Sequence, residues 1–206
     1  MALILITVFD HEKLEWCVSS VIYAAPKPDN KSEQERAGRM VDTPNIESAI
    51  IVVSDRIASG LRENKASGLI RRMISEQSDS FQSTVVVDCV VPEGYDSVVA
   101  AINTALKAGA QLVITVGGTG IRAKNQTPEA TSSFIHTRYE GLEQHIVMLG
   151  SKHTPLAGLS RGVVGVTGRD ADAALIINAP SSSGGIKDTW SVMGPVIPNI
   201  FEGLRA

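Results

Sequence analysis

The 206-residue sequence has few of the residues that build cross-linked, membrane-spanning or strongly basic proteins. It holds two cysteines, Cys17 and Cys89, too few for a disulfide framework or a cysteine-rich metal cluster, so we expect a reducing cytoplasm. No apolar run approaches the ~20 residues of a membrane-spanning helix, so no membrane partner is expected. The net charge is −3, which gives no overall basic field for nucleic acid and means that any anion site must be local.

What the sequence does contain predicts a globular chain, with 43% apolar and 20% charged residues. The apolar start MALILITVF lacks a preceding basic region and a suitable cleavage site, so it is not predicted to be a signal peptide. Residues 26–45 are polar and rich in Pro, Asn and charge, which is typical of a linker. We therefore expect an N-terminal extension and polar linker over 1–46, with a strand in LILITV, and one domain over 47–206.

From residue 47 onward, short apolar stretches alternate with stretches of helical spacing. Strands are predicted at 49–54, 83–91, 111–116, 162–168 and 173–179. Helices are predicted at 66–77, 96–109, 128–139, 142–151 and over 185–206, the last interrupted at Pro195 and Pro198. This alternation predicts an α/β fold with a mostly parallel sheet covered by helices on both faces.

The stretch TVGGTGIRAKNQTPEAT, Thr115–Thr131, places three glycines between a predicted strand and a predicted helix. Thr127 is the expected N-cap, and Pro128 the first helical residue. Free backbone N–H groups at such a turn favour an anion, typically phosphate, and Arg122 and Lys124 add donors. The three glycines suggest close approach of a ligand. A tight glycine-rich turn with solvated bases is an equally open interpretation.

A second loop has the same build, because the strand ending at Asn178 is followed by Pro180 and the run SSSGG. Hydroxyls and glycines can surround an anion there, although a flexible connector fits the same composition. Neither loop carries the Walker A pattern, and Ala123 stands where the dinucleotide fingerprint needs its third glycine. Two such loops at the carboxyl edge of one sheet suit a ligand with phosphate at more than one position.

The pentapeptide GLSRG, 158–162, matches the nucleophile elbow of hydrolases, but the context is wrong. A predicted strand follows Ser160 instead of a helix, and every histidine precedes it in the chain. A hydrolase is therefore excluded, while Ser160 and Arg161 stay open as contacts to an anionic ligand. No His, Cys and Asp cluster has the spacing of a zinc site; Asp55 and Glu93, at strand ends, are candidates for Mg²⁺.

These stretches, in this order, resemble the MogA/MoaB group of molybdenum cofactor biosynthesis domains, over about 47–206. The resemblance is carried by GGTG at 117–120 with the downstream KNQTPEA at 124–130, by SDR at 54–56, by Ser67 and Gly68, by LSRG at 159–162, and by Asn178 and Pro180. The resemblance implies a three-layer αβα sandwich and a homotrimer. It also implies molybdopterin as substrate, Mg²⁺ and ATP for adenylylation of its terminal phosphate, and a molybdenum-inserting MoeA-type enzyme as partner.

The resemblance also places the site residues, while the metal ligands stay unknown. Its catalytic positions are Glu93 and Asn125, and its substrate-binding positions are Asp55, Ser67, Gly117, Gly118, Thr119, Gly120, Lys124, Thr127, Ser160, Arg161, Asn178, Pro180, Ser181 and Ser182.

The chain departs from the family pattern at polar positions. Glu93 and Asn125 stand where the family has aspartates, and Lys124 stands where it has arginine; Asn64, Ser181 and Ser183 are further departures. Asn125 removes a charge that could hold Mg²⁺, and Lys124 gives up the bidentate fork of arginine. Three functions follow: an adenylyltransferase with altered carboxylates, a module that binds molybdopterin without adenylylating it, or an unrelated phosphate-binding α/β protein. The motif match disfavours the third.

Overall fold

The computed structural model describes residues 5–10, 15–20, 45–77 and 80–206. The chain divides into two units, 1–42 and 43–206. In the first unit, β1 (Leu5–Asp10) and β2 (Glu15–Ser20) pair antiparallel. A strand in LILITV is thus confirmed, whereas the predicted linker, apart from Asn45, lies outside the described residues.

The second unit alternates strands and helices as the hydrophobic pattern predicts. Its strands are β3 (Asn45–Val53), β4 (Gln82–Val91), β5 (Leu112–Val116), β6 (Thr137–Arg138), β7 (Val164–Val166) and β8 (Leu175–Ala179). Its helices are α1 (Asp55–Ala58), α2 (Ala66–Glu76), α3 (Tyr95–Lys107), α4 (Thr127–Ser132), α5 (Glu140–Ser151), α6 (Ser183–Met193) and α7 (Ile197–Arg205), with a 3-10 turn at Pro155–Leu159.

Six strands form one sheet in the order β4-β3-β5-β8-β7-β6. The first four run parallel, β7 runs antiparallel to β8, and β6 runs antiparallel to β7. The predicted mostly parallel sheet is therefore confirmed. The order also puts the first strand of the unit, β3, in the interior, so the chain crosses over to build the sheet on both sides of it.

Alternate residues of the central strands pack against helices on opposite faces, because side chains alternate across a strand. Ile50 of β3 packs in one core with residues of α2, α6 and α7, such as Ile70, Trp190 and Phe201. Ile51, the next residue, packs in a second core with residues of α3 and α4. The fold is thus the predicted three-layer αβα sandwich, and its two cores hold the carboxyl ends of the strands in place.

The two outer strands of this sheet are irregular or short. The register of β3 and β4 shifts between Ser48 and Ala49, which pair with Val85 and Val87, so Val86 of the edge strand is the extra residue of a β-bulge. At the opposite edge, β6 has two residues.

Two predictions of local structure are wrong in detail. The helix predicted over 128–139 ends at Ser132, because Thr137 and Arg138 pair with β7 and the His136 N–H donates to the Val166 carbonyl. The break predicted at Pro198 does not occur, since this proline lies in the first turn of α7, where no N–H is needed. Pro195 does fall between α6 and α7.

Candidate functional site

Four loops meet at the carboxyl edge of the parallel strands. They follow β3 at residue 54, β4 at residue 92, β5 at residue 117 and β8 at residue 180. The segment Ser160–Arg161, just before β7, joins them because β7 runs in the opposite direction: the Ser160 hydroxyl lies 3.4 Å from the Thr119 Oγ1, and the Arg161 N–H donates to the Thr119 carbonyl. The glycine loop and the Ser160–Arg161 segment, both expected to contact an anion, therefore lie side by side.

The glycines of the β5–α4 loop are required by the protein's own atoms. Gly117 and Gly118 have φ of 101° and 65°, which favours glycine. A Cβ on Gly117 would clash with the Val53 carbonyl oxygen, and one on Gly118 with the Thr127 Oγ1. A Cβ on Gly120 would lie 2.9 Å from the Asn125 Oδ1. Internal packing thus explains the three glycines, and their number alone is no evidence for a ligand.

Arg161 holds the glycine loop closed. Its Nη2 donates to the carbonyls of Gly120 and Asn125 at 3.0 and 2.6 Å, and its Nε donates to Gly120 at 3.2 Å. Its Nη1 pairs with the Glu129 carboxylate in α4. Most of the guanidinium donors are therefore used on the loop, so Arg161 positions the site instead of offering a free fork to an anion.

Glu93 and Asn125, the two positions predicted to be catalytic, lie in a closed ring of contacts across three loops. Asp55 accepts the Glu93 N–H at 2.9 Å and the Lys124 Nζ at 2.9 Å. Glu93 in turn accepts the Asn125 Nδ2 at 3.0 Å, and Asn125 follows Lys124 directly in the chain. The Asn125 Oδ1 accepts the Arg122 N–H at 3.2 Å. Side chains that the sequence places far apart are thus joined into one polar unit at the mouth of the glycine loop.

The Asp55–Lys124 ion pair gives a first testable prediction. The hydrogen bond from Lys124, followed by the one from the Glu93 N–H, holds the pKa of Asp55 below its usual value. Because the folded pKa is depressed, this contribution to stability is present above the ordinary aspartate pKa of about 3.9 and is lost as pH falls through the lower folded value. Lys124→Ala should raise the pKa of Asp55, as measured by NMR titration of its carboxyl carbon.

Lys65→Ala is the matched control, since Lys65 is exposed and pairs with Glu63. It should leave the Asp55 titration unchanged. An Asp55 pKa that is the same in wild type and in Lys124→Ala would show that the ion pair does not form in solution.

Asn178 lies beneath the site in a buried network. Its Nδ2 lies 2.8 Å from both the Thr115 and the Thr131 Oγ1, and its Oδ1 accepts the Val163 N–H at 3.1 Å. The side chain is 2% exposed. Its polar atoms therefore join β5, α4, β8 and the residue that precedes β7, and we assign Asn178 a positioning role.

Thr127 is also buried, and it begins α4 instead of capping it; Gln126 is the N-cap. Its Oγ1 has no hydrogen-bond partner among the residues that the structure describes, and it lies against Gly118. The predicted N-cap is wrong because the Thr127 Oγ1 accepts no N–H of the first helical turn in the described part of the chain, while the Thr127 N–H donates to the Gly118 carbonyl at 3.2 Å. The hydroxyl is thus held under the glycine loop, next to the atoms that would meet an anion.

The β8–α6 loop lies against the glycine loop. The Gly117 N–H donates to the Ala179 carbonyl, and Ser181 is adjacent to Gly117. Ser182 caps α6, with its Oγ accepting the Gly185 N–H at 3.0 Å, and Pro180 packs against Gly185. Ser181 is exposed and joins the shared mouth, while Ser182 and Pro180 shape the start of the helix.

Ser67 is bound in a cluster of its own. Its hydroxyl donates to Asp88 at 2.8 Å, Asn64 donates to its Oγ at 2.8 Å, and Arg71 pairs with the same Asp88. The structure thus ties Ser67 to β4 and to the start of α2, and shows no contact to the ring.

Sequence reasoning missed the structural roles of Thr131, Glu129 and Asp88. They depend on neighbours far along the chain, so no local pattern signals them. Within residues 45–77 and 80–206, no three His, Cys, Asp or Glu side chains are grouped as metal ligands. No helix in the described part of the chain is long and apolar enough to cross a membrane.

The family described as "Probable molybdopterin binding domain" matches residues 49–199. A solved structure described as a "molybdenum cofactor biosynthesis protein", from Corynebacterium diphtheriae, is 66% identical, with a TM-score of 0.72, over 79% of this chain and 99% of that one. Molybdopterin adenylyltransferase of Helicobacter pylori is 28% identical over 74% of this chain and 84% of its own length.

Larger relatives carry the same domain as one part. The molybdenum cofactor synthesis protein cinnamon of Drosophila melanogaster is 26% identical over 75% of this chain, which spans 25% of that protein. The chain spans between 21% and 48% of the length of three further relatives. With the family match covering most of the chain, these comparisons show that it belongs to the molybdopterin-binding family of molybdenum cofactor biosynthesis.

Proposed function

We propose that this site binds molybdopterin through its terminal phosphate and transfers an adenylyl group to it from ATP at a reduced rate. In that reaction a phosphate oxygen of molybdopterin attacks the α-phosphorus of ATP, a new P–O–P bond forms, and pyrophosphate leaves. The observation that carries the proposal is the convergence of the glycine loop, Ser160 and Ser181 beside the Glu93–Asn125 pair. The adenylyltransferase of Helicobacter pylori supports the reaction type.

The residues present fit Mg²⁺ in a limited way. Glu93 and Asp55 supply two carboxylates joined through the Glu93 N–H, and Mg²⁺ in nucleotide sites is held by one or two carboxylates plus substrate phosphates. Lys124 already pairs with Asp55, so Glu93 is the carboxylate that would hold the ion. When bound, Mg²⁺ would neutralise charge on the ATP phosphates and the leaving pyrophosphate.

The ring of contacts orients these groups before any ligand binds. Lys124 is 70% exposed, so its ammonium can turn from Asp55 to a phosphate oxygen. Arg161 fixes the carbonyls of Gly120 and Asn125, which sets the direction of the neighbouring N–H groups. Backbone N–H groups fixed in this way lose little conformational entropy when they bind phosphate. We therefore expect phosphate binding to depend less on the carboxylates than adenylyl transfer does.

Turnover with molybdopterin, ATP and Mg²⁺ tests the proposal. Asn125→Asp should raise the rate in a Mg²⁺-dependent way, because it returns a metal-binding carboxylate to the site at nearly the same shape. Glu93→Gln should abolish the remaining rate while the fold persists, since the side chain keeps its size. A wild-type rate near the ~10 s⁻¹ of typical enzymes, unchanged in Asn125→Asp, would contradict this assignment.

The second candidate is a module that holds molybdopterin without adenylylating it. It is favoured by one observation, the neutral side chain at 125. Equal molybdopterin binding by wild type and Glu93→Gln, with no adenylyl transfer by wild type or Asn125→Asp, would support this module.

We also propose a homotrimer, a cytoplasmic location and delivery of the product to a MoeA-type molybdenum-inserting enzyme. The resemblance to the MogA/MoaB group supports the assembly and the partner. Large aliphatic side chains that are well exposed, at Leu61, Ile121, Met148 and Leu156, suit an aliphatic interface. The chain has only two cysteines, Cys17 and Cys89, which suits a reducing compartment.

A further inference from the structure

We propose that the uncharged Asn125 side chain holds the glycine loop in place by hydrogen bonds, so that this site can hold a phosphate group without a divalent cation. These hydrogen bonds, to Glu93 and Arg122, are called the amide latch below. This inference rests on the proposed function for the identity of the ligand, a phosphate monoester or diphosphate. It goes beyond that function because it concerns what closes the loop when no metal is bound.

The Asn125 amide makes hydrogen bonds to two neighbours. The Asn125 Nδ2 donates to the Glu93 Oε2 at 3.0 Å, and its Oδ1 accepts the Arg122 N–H at 3.2 Å. A carboxylate at this position could still accept from Arg122, but it could not donate to Glu93. Asparagine therefore fits both neighbours, whereas an ionised aspartate fits one.

The neutral side chain at position 125 also sets the net charge of the ring. Asp55 and Glu93 contribute −2 and Lys124 contributes +1, so the ring as it stands carries −1. An aspartate at 125 would bring it to −2 and would place two carboxylates at a separation now spanned by a 3.0 Å hydrogen bond. Two carboxylates at so short a separation repel each other, which favours protonation of one of them or binding of a cation between them.

Asn125 and Arg161 act on the same turn of the glycine loop. The Arg161 guanidinium donates to the main-chain carbonyls of both Asn125 and Gly120. Gly120 also lies beside the Oδ1 of Asn125. The amide latch and the Arg161 contacts therefore close the same turn, Gly120–Asn125. A phosphate that binds here finds this turn already in its final conformation. The ring beside it carries one negative charge fewer than it would in Asn125→Asp.

Thermal unfolding of Asn125→Asp, with EDTA and with Mg²⁺, tests the latch without any ligand. Wild type should unfold at the same temperature within about 1 °C in both buffers. Asn125→Asp should unfold at least about 4 °C lower in EDTA and should regain most of that loss in Mg²⁺, since about 1 kcal/mol shifts Tm by a few degrees in a domain of this size. Asn103→Asp adds the same charge on the exposed face of α3 and should show no response to Mg²⁺.

Calorimetric titration with inorganic phosphate tests the ligand half. Wild type should bind phosphate with the same Kd, within about twofold, in EDTA and in Mg²⁺, and Asn125→Asp should bind at least about tenfold more weakly in EDTA. The proposal is overturned if wild type needs Mg²⁺ to bind phosphate, if neither protein binds phosphate, or if the two proteins unfold alike in EDTA. Absence of adenylyl transfer alongside the expected unfolding and binding would reject the enzyme and leave the latch standing.

Discussion

Replacing Gly117 with alanine is expected to lower the free energy of unfolding by more than about 3 kcal/mol. Its φ of 101° is strained for any side chain, which costs about 1–2 kcal/mol. The new Cβ would also clash with the carbonyl oxygen of Val53, a backbone atom at the end of a central strand that cannot swing aside. Urea unfolding followed by far-UV circular dichroism would measure the loss, which is a large part of the 5–15 kcal/mol that holds a typical domain.

Gly68→Ala is the matched control for this change. Gly68 lies on the exposed side of α2, and a Cβ there would meet no atom of the described residues within 4 Å. Since alanine favours helix by about 1 kcal/mol over glycine, this variant should be slightly more stable than wild type. A Gly117→Ala protein within about 1 kcal/mol of wild type would show that the loop does not have this conformation in solution.

Asn178→Ala is expected to cost about 3–5 kcal/mol of stability, because it breaks a buried network. The change leaves the Val163 N–H and the hydroxyls of Thr115 and Thr131 without their partner in a region that water does not reach. Each buried group left unsatisfied costs about 1–3 kcal/mol, and the removed side chain also leaves a cavity. The same urea unfolding measurement applies.

The control for that experiment is Asn103→Ala, on the exposed face of α3, where alanine is the better helix former. It should be neutral or slightly stabilising. If Asn178→Ala also stays within about 1 kcal/mol of wild type, the three hydrogen bonds assigned to Asn178 do not contribute as the geometry indicates.

The layered fold could be predicted because its signal is local. Residues 49–53 of β3 are all apolar, and β5 and β8 each contain a single polar residue, which is typical of strands buried on both faces. The helix α3 keeps its buried apolar residues on one face. The region after Ser132 could not be predicted in this way. Its pattern fits a helix, and only the distant β7 makes residues 137 and 138 a strand.

The sequence could predict that certain residues lie close together, but it could not predict the hydrogen bonds between them. Asp55, Glu93, Lys124 and Asn125 were expected at the ligand mouth, and the structure brings them together. Arg161 was expected to face the anion, yet its donors are used on main-chain carbonyls and on Glu129. Which carbonyls come within reach of a guanidinium depends on the folded path of two loops, and no spacing in the sequence carries that information.

The two irregular edges of the six-stranded sheet limit how copies of this chain can associate. A strand joining β4 from another molecule would need an unbroken row of donors and acceptors, and the extra residue at Val86 interrupts that row partway along. A strand joining β6 would find two residues to pair with. Growth of the six-stranded sheet from molecule to molecule is therefore disfavoured at both of its ends, so contacts through the helices and loops of this unit are favoured over pairing of its edge strands into a fibre.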